Sequence, residues 1–414
     1  TILPQQLIPD IPTQYRDFAP KNFDESFSGA VKANEALSRS LNIPAVRMLD
    51  EYGVDFFHSD LQKWGFTSVD RSAESYGLTL ILGGAEIKLW DLVQAYRVLA
   101  VSCSNGQTDQ ISYKSERVAE EIAVPINDVA SWFTLEALKE VTRPEERSAW
   151  EAFGSTSQLA WKTGTSYGFR DAWAVGTNPD FTVGVWIGNA NGEGRPGLTG
   201  LNAAAPVLFD VFNFLPRSNW FEEPHSGLIT ERVCAHSGMR AGKNCPSQNG
   251  YAIPIKCIDN ELCMYCETIH LNESMTKRVT AQCYPFHLMV SEKRFVLPPL
   301  QEWFYTKKNP GYQKIPELDP SCLGATLSQN IRLIYPSPKS TIFVPREFTG
   351  AKEPIVFKAA CTDPSAVIFW HLDDKYCGST KGIHHLEINV EKGLHTITLL
   401  DNSGSEFKTK IRVD

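Results

Sequence analysis

The apolar positions of this chain keep one rhythm to about residue 215, lose it, and take up another after residue 330. Over residues 1–30, Pro4, Pro9, Pro12 and Pro20 punctuate short apolar stretches. This predicts a linker with one or two extended segments, because the residue before a proline is pushed out of the helical region. From Val31 the spacing turns helical. Ala33, Ala36 and Leu37, then Ile43, Val46, Met48 and Leu49, predict two helices, with Pro44 in the first turn of the second and Gly53 after its end. A short helix over 55–64 follows, then an apolar run from Tyr76 that stops at Gly83-Gly84. Residues 86–100 place Leu89, Leu92, Val93, Tyr96 and Leu99 on one helical face. A turn at Ser104-Asn105-Gly106 ends that helix, and the next, over 129–141, stops before Pro144.

Three apolar runs come next, led by Leu159, Asp171 and Phe181, the last two divided by Asn178-Pro179-Asp180. They predict three antiparallel strands. A helix over 203–215, with Pro206 near its start, closes this part. Residues 217 to about 325 are rich in Cys and Pro with few long periodic runs, and predict an irregular extension held by disulfides. Val296 to Leu300, Asn309-Pro310-Gly311 and Asp319-Pro320 read as linker. Seven short runs then follow, at 331–335, 341–344, 355–359, 367–372, 385–390, 396–400 and 407–413. They predict a small β-sandwich of immunoglobulin type with Trp370 as its inner aromatic. The fold class is α+β, an antiparallel sheet flanked by helices, followed by the extension and an all-β domain, with boundaries at 1–215, 216–328 and 329–414.

Composition changes this picture in three places. The net charge of −8 without a basic block argues against nucleic acid as a partner. No run of eighteen apolar residues exists, and the chain opens Thr1-Ile2-Leu3-Pro4 without Met or a secretory leader, which reads as a piece of a longer or processed protein. Six of the ten cysteines fall between Cys234 and Cys283, against Cys103 alone in the first 215 residues. That clustering suggests an oxidising compartment.

The first strand carries Lys162-Thr163-Gly164-Thr165. A lysine within a strand must face water or a ligand, and a glycine two residues on removes a side chain where another chain comes close. Such an edge can receive an extended peptide and hold its carboxylate on a cation. Alone, the triplet also fits an exposed lysine before a turn. About 120 residues earlier stands Ser40-Leu41-Asn42, whose ordinary reading is a helix N-cap.

Taken together with Asn22-Phe23-Asp24, Gly83-Gly84-Ala85-Glu86 and the run from Trp161 to Trp173, these motifs resemble the transpeptidase domain of the class A penicillin-binding proteins. Cys234 to Pro246, Leu297 to Tyr305 and the terminal sandwich resemble the family's 1C subtype. The resemblance covers nearly the whole chain and implies a partial transpeptidase fold. It implies that a serine forms an acyl-enzyme with a D-Ala-D-Ala peptide, which an amine then resolves. Ser40 matches a proton-shuttling serine and Asn42 the amide that holds the acyl peptide. Lys162 matches the cation facing the terminal carboxylate, with Thr163, Gly164 and Thr165 binding substrate and the Thr165 N–H as an oxyanion donor. The implied partners are peptidoglycan stem peptides, β-lactams in the parent protein, and envelope proteins through the last domain. The implied location is periplasmic, with the parent's glycosyltransferase domain and membrane anchor upstream.

The family pattern also requires S-x-x-K before S-x-N. Here that string occurs only after the K-T-G strand, at Ser274-Met275-Thr276-Lys277 and Ser405-Glu406-Phe407-Lys408, and both read as chance matches. The nucleophile is expected upstream of Thr1, so the chain alone is expected to form no covalent penicillin adduct. No cofactor or metal is expected. The spacing Cys263-Met264-Tyr265-Cys266 fits zinc or redox chemistry, but disulfides are preferred over free thiols and both over zinc. Cys234–Cys245 is the favoured bridge, and Cys361–Cys377 a second candidate. The competing readings are a catalytically inactive peptide- or partner-binding scaffold and, more weakly, a β-lactamase relative.

Overall fold

A computed structural model describes residues 2–15, 18–104, 126–141, 158–281, 283–322, 331–337, 340–342, 354–361, 363–373, 375–402 and 405–414. Pro144, Val344, Asn105, Gly106 and the boundary expected at 328/329 lie outside them.

Strands β1 (Leu7–Asp10) and β2 (Gly29–Lys32) pair antiparallel. Val31, read as helical, belongs to β2. Helix α1 (Ala33–Ser38) follows directly, then α2 (Asn42–Tyr52), closed by Gly53 at φ 98°, α3 (Val54–Lys63), the single turn α4 (Ala73–Tyr76), and a 3-10 segment over Gly77–Leu82.

Helix α5 (Leu89–Cys103) starts three residues later than its apolar pattern predicts, and it is packed on two sides. Asp91, Gln94, Ala95 and Val98 are buried, and Asp91 is satisfied by the Thr67 hydroxyl at 3.1 Å. Leu89 and Val93 of the predicted face lie against the sheet, where a Cβ on Gly184 would sit 2.4 Å from Val93 Cγ2, whereas Leu92 packs with Leu49 and Phe66. Helix α6 (Asp128–Lys139) is capped by Asn127, whose side chain accepts from the Ala130 N–H at 2.8 Å.

Strands β3 (Ala160–Thr165), β4 (Asp171–Thr177) and β5 (Thr182–Gly188) form an antiparallel sheet in that order, as predicted. The β3–β4 turn is fixed by Asp171, which accepts from Ser166 Oγ at 2.7 Å and from Trp186 Nε1 at 2.9 Å. A π-helical turn (Gly200–Ala204) leads into α7 (Ala205–Phe214), with Pro206 in its first turn. Side chains alternate across a strand. Ala160 enters a core with Leu99, Ala100, Leu135 and Leu138 of α5 and α6. Trp161 points the other way, onto Phe209 of α7 at 4.9 Å. The sheet is thus covered on both faces, and β3 is one of its two edge strands among the described residues.

The extension is more regular than its composition suggests. Strands β6 (Leu228–Cys234) and β7 (Gln248–Pro254) form one hairpin, and β8 (Cys266–Leu271) and β9 (Val290–Phe295) another. The stretch read as linker begins helix α8 (Pro299–Lys308). Cys283 and Cys322 are disulfide-bonded. Both predicted bridges are absent, because Cys234, Cys245, Cys361 and Cys377 are all free.

The last part is a two-sheet sandwich. Strands β10 (Ile331–Tyr335), β11 (Thr341–Ile342), β12 (Ile355–Cys361) and β13 (Val367–Leu372) fall where the alternation put them. Strand β14 (Lys375–Lys381) was not predicted, and β15 (His385–Ile388), β16 (Gly393–Asp401) and β17 (Glu406–Val413) complete the set. The sheets order as β10-β12-β15 and β11-β17-β16-β13-β14. Trp370 is fully buried between them, and its Nε1 donates to Thr380 Oγ1 at 2.8 Å. No helix among the described residues is long and apolar enough to cross a membrane.

Candidate active site

The site is built where the end of α1 meets β3. Helix α1 ends in a tight reversal. The Ser40 N–H donates to Leu37 O at 3.1 Å and the Leu41 N–H to Ala36 O at 3.0 Å. This bond pair is a Schellman C-cap, and Leu41 completes it by packing with Ala36, Ile8 and Val31. Ser40 takes the position usually given to glycine, at φ 56°. Its exposed hydroxyl is thereby held off the helix end.

Neither motif residue caps α2. Its N-cap is Leu41, and no side chain bonds there from the cap residue. Instead Asn22 Oδ1 accepts from the Ile43 N–H at 3.2 Å, while Asn22 Nδ2 donates to Asp10 Oδ1 and Ser26 O, both at 2.8 Å. Asp10 Oδ2 accepts from the Ser28 N–H at 2.8 Å. Asp10 and Asn22 are buried, so this network ties β1 to the start of α2. Asn42 donates from Nδ2 to Lys21 O at 2.8 Å, which fixes the same junction from outside.

Across from this junction, Lys162 Nζ donates to Ser40 Oγ, joining residues 122 apart in sequence, and to Thr163 O at 3.1 Å. Lys162 is half-buried, and burial lowers its pKa from 10.5 to about 8. The backbone of β3 shows which groups face outward. The Ser166 N–H donates to Asp171 O at 3.1 Å, so Ser166 pairs by hydrogen bond with β4. In an antiparallel ladder such pairs alternate, which turns the N–H and C=O groups of Thr165 and Thr163 to the free edge.

The threonine hydroxyls sit on the α7 face. Thr165 Oγ1 accepts from the Gly200 N–H at 3.0 Å. Gly164 is exposed, and a Cβ there would meet nothing nearer than Trp173 Cβ at 3.5 Å. The close approach falls on Gly200 instead, where a Cβ would lie 2.4 Å from both Gly164 O and Trp173 O.

The two later S-x-x-K strings make no comparable arrangement. Ser274 Oγ donates to Asn272 Oδ1 at 3.1 Å, while Lys277 Nζ is paired with Glu317 at 2.8 Å. Ser405 precedes β17 and Lys408 lies inside it, three residues on and without a helical turn to bring the two together. The positioning residues missed by motif reading are Asp10 and Gly200. Asn22 carried a signal, since it opens the Asn22-Phe23-Asp24 string, but Asp10 carried none.

The Sγ atoms of Cys234, Cys245, Cys263 and Cys266 all lie within 4.8 Å of one another.

Residues 320–413 match the Penicillin-Binding Protein C-terminus Family. Penicillin-binding protein 1C of Escherichia coli (strain K12) is 34% identical over 251 residues, covering 60% of this chain and 31% of that protein. Penicillin-binding protein 1A of Neisseria cinerea is 29% identical over 211 residues, covering 48% and 26%. A crystal structure of penicillin-binding protein 1A from Haemophilus influenzae aligns with TM-score 0.48 at 16% identity, covering 64% of this chain and 46% of that one. The chain spans less than a third of the length of these two curated relatives, at 31% and 26%.

Proposed function

Starting from a chain that belongs to the class A penicillin-binding proteins, we propose that residues 1–215 supply one wall of a serine D,D-transpeptidase site in a peptidoglycan synthase. The observation that carries this reading is the hydrogen bond from Lys162 to Ser40, which joins the two motifs in space.

A serine of an S-x-x-K motif outside these 414 residues is the nucleophile. It attacks the carbonyl between two D-Ala residues of a stem peptide, its hydroxyl proton passes to the lysine of its own motif, and the peptide C–N bond breaks. The departing amine takes a proton from Ser40 Oγ, and Lys162 Nζ returns one to Ser40. With a pKa of about 8, Lys162 is close enough to neutral pH to give and recover that proton. While charged it also attracts the terminal carboxylate. The peptide lies along the free edge of β3 as an added strand, with the Thr165 N–H as an oxyanion donor and the exposed Gly164 leaving room. A β-lactam occupies the same place in the parent protein. The chain works on the periplasmic side of the membrane, and the terminal sandwich offers a surface for envelope proteins.

The test uses the parent polypeptide carrying S-x-x-K. Ser40→Ala and Lys162→Ala should each slow acylation by labelled penicillin about 100-fold or more, the usual scale for a lost proton-transfer group. The 414-residue chain alone should retain no label through denaturation. Label on the isolated chain, or unaltered acylation in Ser40→Ala, would overturn the assignment. An inactive scaffold predicts that the parent itself is never labelled.

A further inference from the structure

The cysteines that were expected to form bridges are arranged for something else. Cys234 ends β6, Cys245 follows in the hairpin loop, and Cys263 and Cys266 stand at the entry to β8. Two separate hairpins thus bring four sulfurs to one point, with Cys234, Cys245 and Cys266 buried and Cys263 partly so. All four Sγ atoms lie within 4.8 Å of each other, and Cys234 Sγ is 3.6 Å from Cys266 Sγ. A disulfide needs about 2.0 Å between sulfurs, whereas four thiolates about 2.3 Å from a central ion stand about 3.8 Å apart at tetrahedral corners. The 3.6 Å separation and the 4.8 Å limit fit the second spacing, and none of the four is disulfide-bonded. In the same extension Cys283 and Cys322 are bonded, so the contrast is internal to one unit.

Donors are placed around the sulfurs. The Gly242 N–H donates to Cys245 Sγ at 3.3 Å, and Ser237 Oγ donates to Cys263 Sγ at 3.1 Å. The Met239 N–H donates to Ser237 Oγ at 3.3 Å and orients it. Such outer contacts are what thiolate ligands use to disperse charge. Four protein sulfurs leave no open position for substrate, which marks a structural and not a catalytic centre. We propose that Cys234, Cys245, Cys263 and Cys266 form a tetrathiolate zinc site that locks the two hairpins together.

The site also braces the N-terminal strands. Its cysteines share a core with Leu7 of β1 and Ala30 of β2. Ser237 O accepts from the Leu7 N–H at 2.7 Å, and Gly238 is packed so closely that a Cβ would lie 1.7 Å from Gln5 O. A two-stranded hairpin is marginal alone, so a metal linking two of them supplies what their small apolar core does not.

The test is made on the intact chain, purified without added metal or chelator. Elemental analysis and native mass measurement should find one zinc per chain. Cobalt(II) exchanged into the chain should show the thiolate charge-transfer and d–d bands of a tetrahedral tetrathiolate. After chelation and denaturation, alkylation should label these four cysteines together with the other free thiols, while Cys283–Cys322 stays bridged. Cys245→Ser should lose the tetrathiolate spectrum, and Cys361→Ser should keep it. If Cys245→Ser does not fold, the cobalt titration of the unsubstituted chain decides. Two disulfides within the four, or four free thiols that take up neither zinc nor cobalt, would overturn the proposal. None of these readouts involves a β-lactam, so they stand apart from the proposed function.

Discussion

Ser40 shows what the site demands of single residues. A left-handed residue with a Cβ costs about 1 kcal/mol relative to glycine, yet the position just after the C-cap of α1 carries serine at φ 56°. Ser40→Gly should therefore raise stability of the chain by about 1 kcal/mol, read as a higher urea midpoint, while abolishing fast penicillin acylation in the parent. A loss of stability would show that the hydroxyl matters more to the fold than the backbone strain. Lys162 makes a second prediction. Its folded pKa, about 8, lies below the 10.5 of the unfolded chain, so between these values the unfolded state holds more protons. Stability should then rise from pH 8 towards 10.5, with the full penalty present below 8, and Lys162→Met should flatten that slope in pH-dependent unfolding. Both residues were legible in the sequence because each sits in a short motif. Asp10 was not, because its partners Asn22 and Ser28 are 12 and 18 residues away and nothing local marks it as buried.

Elements whose burial follows a simple period were legible, and those held by other means were not. β3, β4 and β5 stand where apolar runs and turns put them. β14 was invisible because Lys375 to Lys381 is a half-buried edge strand with no apolar alternation. The hairpins of the extension were hidden because cysteines and short backbone contacts, not a periodic face, hold them. Helix α8 was mistaken for linker because Pro298-Pro299 reads as a break, although proline suits a first helical turn. At this scale the two glycines around β3 separate fold from function. Gly200→Ala drives a Cβ to 2.4 Å from two carbonyl oxygens and should destabilise by about 2 kcal/mol or more. Gly164→Ala meets only an ordinary contact at 3.5 Å and should leave the urea midpoint nearly unchanged, while slowing acylation by crowding the edge. Equal destabilisation by both would mean that Gly164 is retained for packing.

For the whole molecule the question is what couples the terminal sandwich to the residues that hold Ser40. Helix α8 lies between them. Leu300 and Phe304 share a core with Leu400 and Phe369 of the sandwich and with Ile11 and Phe27 of the first part. Phe304 is 5.1 Å from the Phe27 ring and 5.7 Å from the His371 ring, and Phe27 is 5.8 Å from Tyr376. Lys308 Nζ reaches Ser26 and Ser28 hydroxyls, both at 3.2 Å, beside the strand that leads into α1. At Gly29 a Cβ would lie 2.1 Å from Gln301 O, so helix and strand are in backbone contact. One aromatic side chain thus touches both halves. Removing it, by Phe304→Ala, should weaken the docking by about 3 kcal/mol, the scale of a buried aromatic truncation, without emptying the core around Trp370. The expected result is a larger radius of gyration in X-ray scattering and a separate melting transition for the sandwich. A single transition at an unchanged radius would show that the two parts are held by contacts other than α8. Because Phe27 and Ser28 precede α1 directly through β2, loosened docking should also slow acylation in the parent, and by less than Ser40→Ala, since it shifts the wall without removing a reacting group.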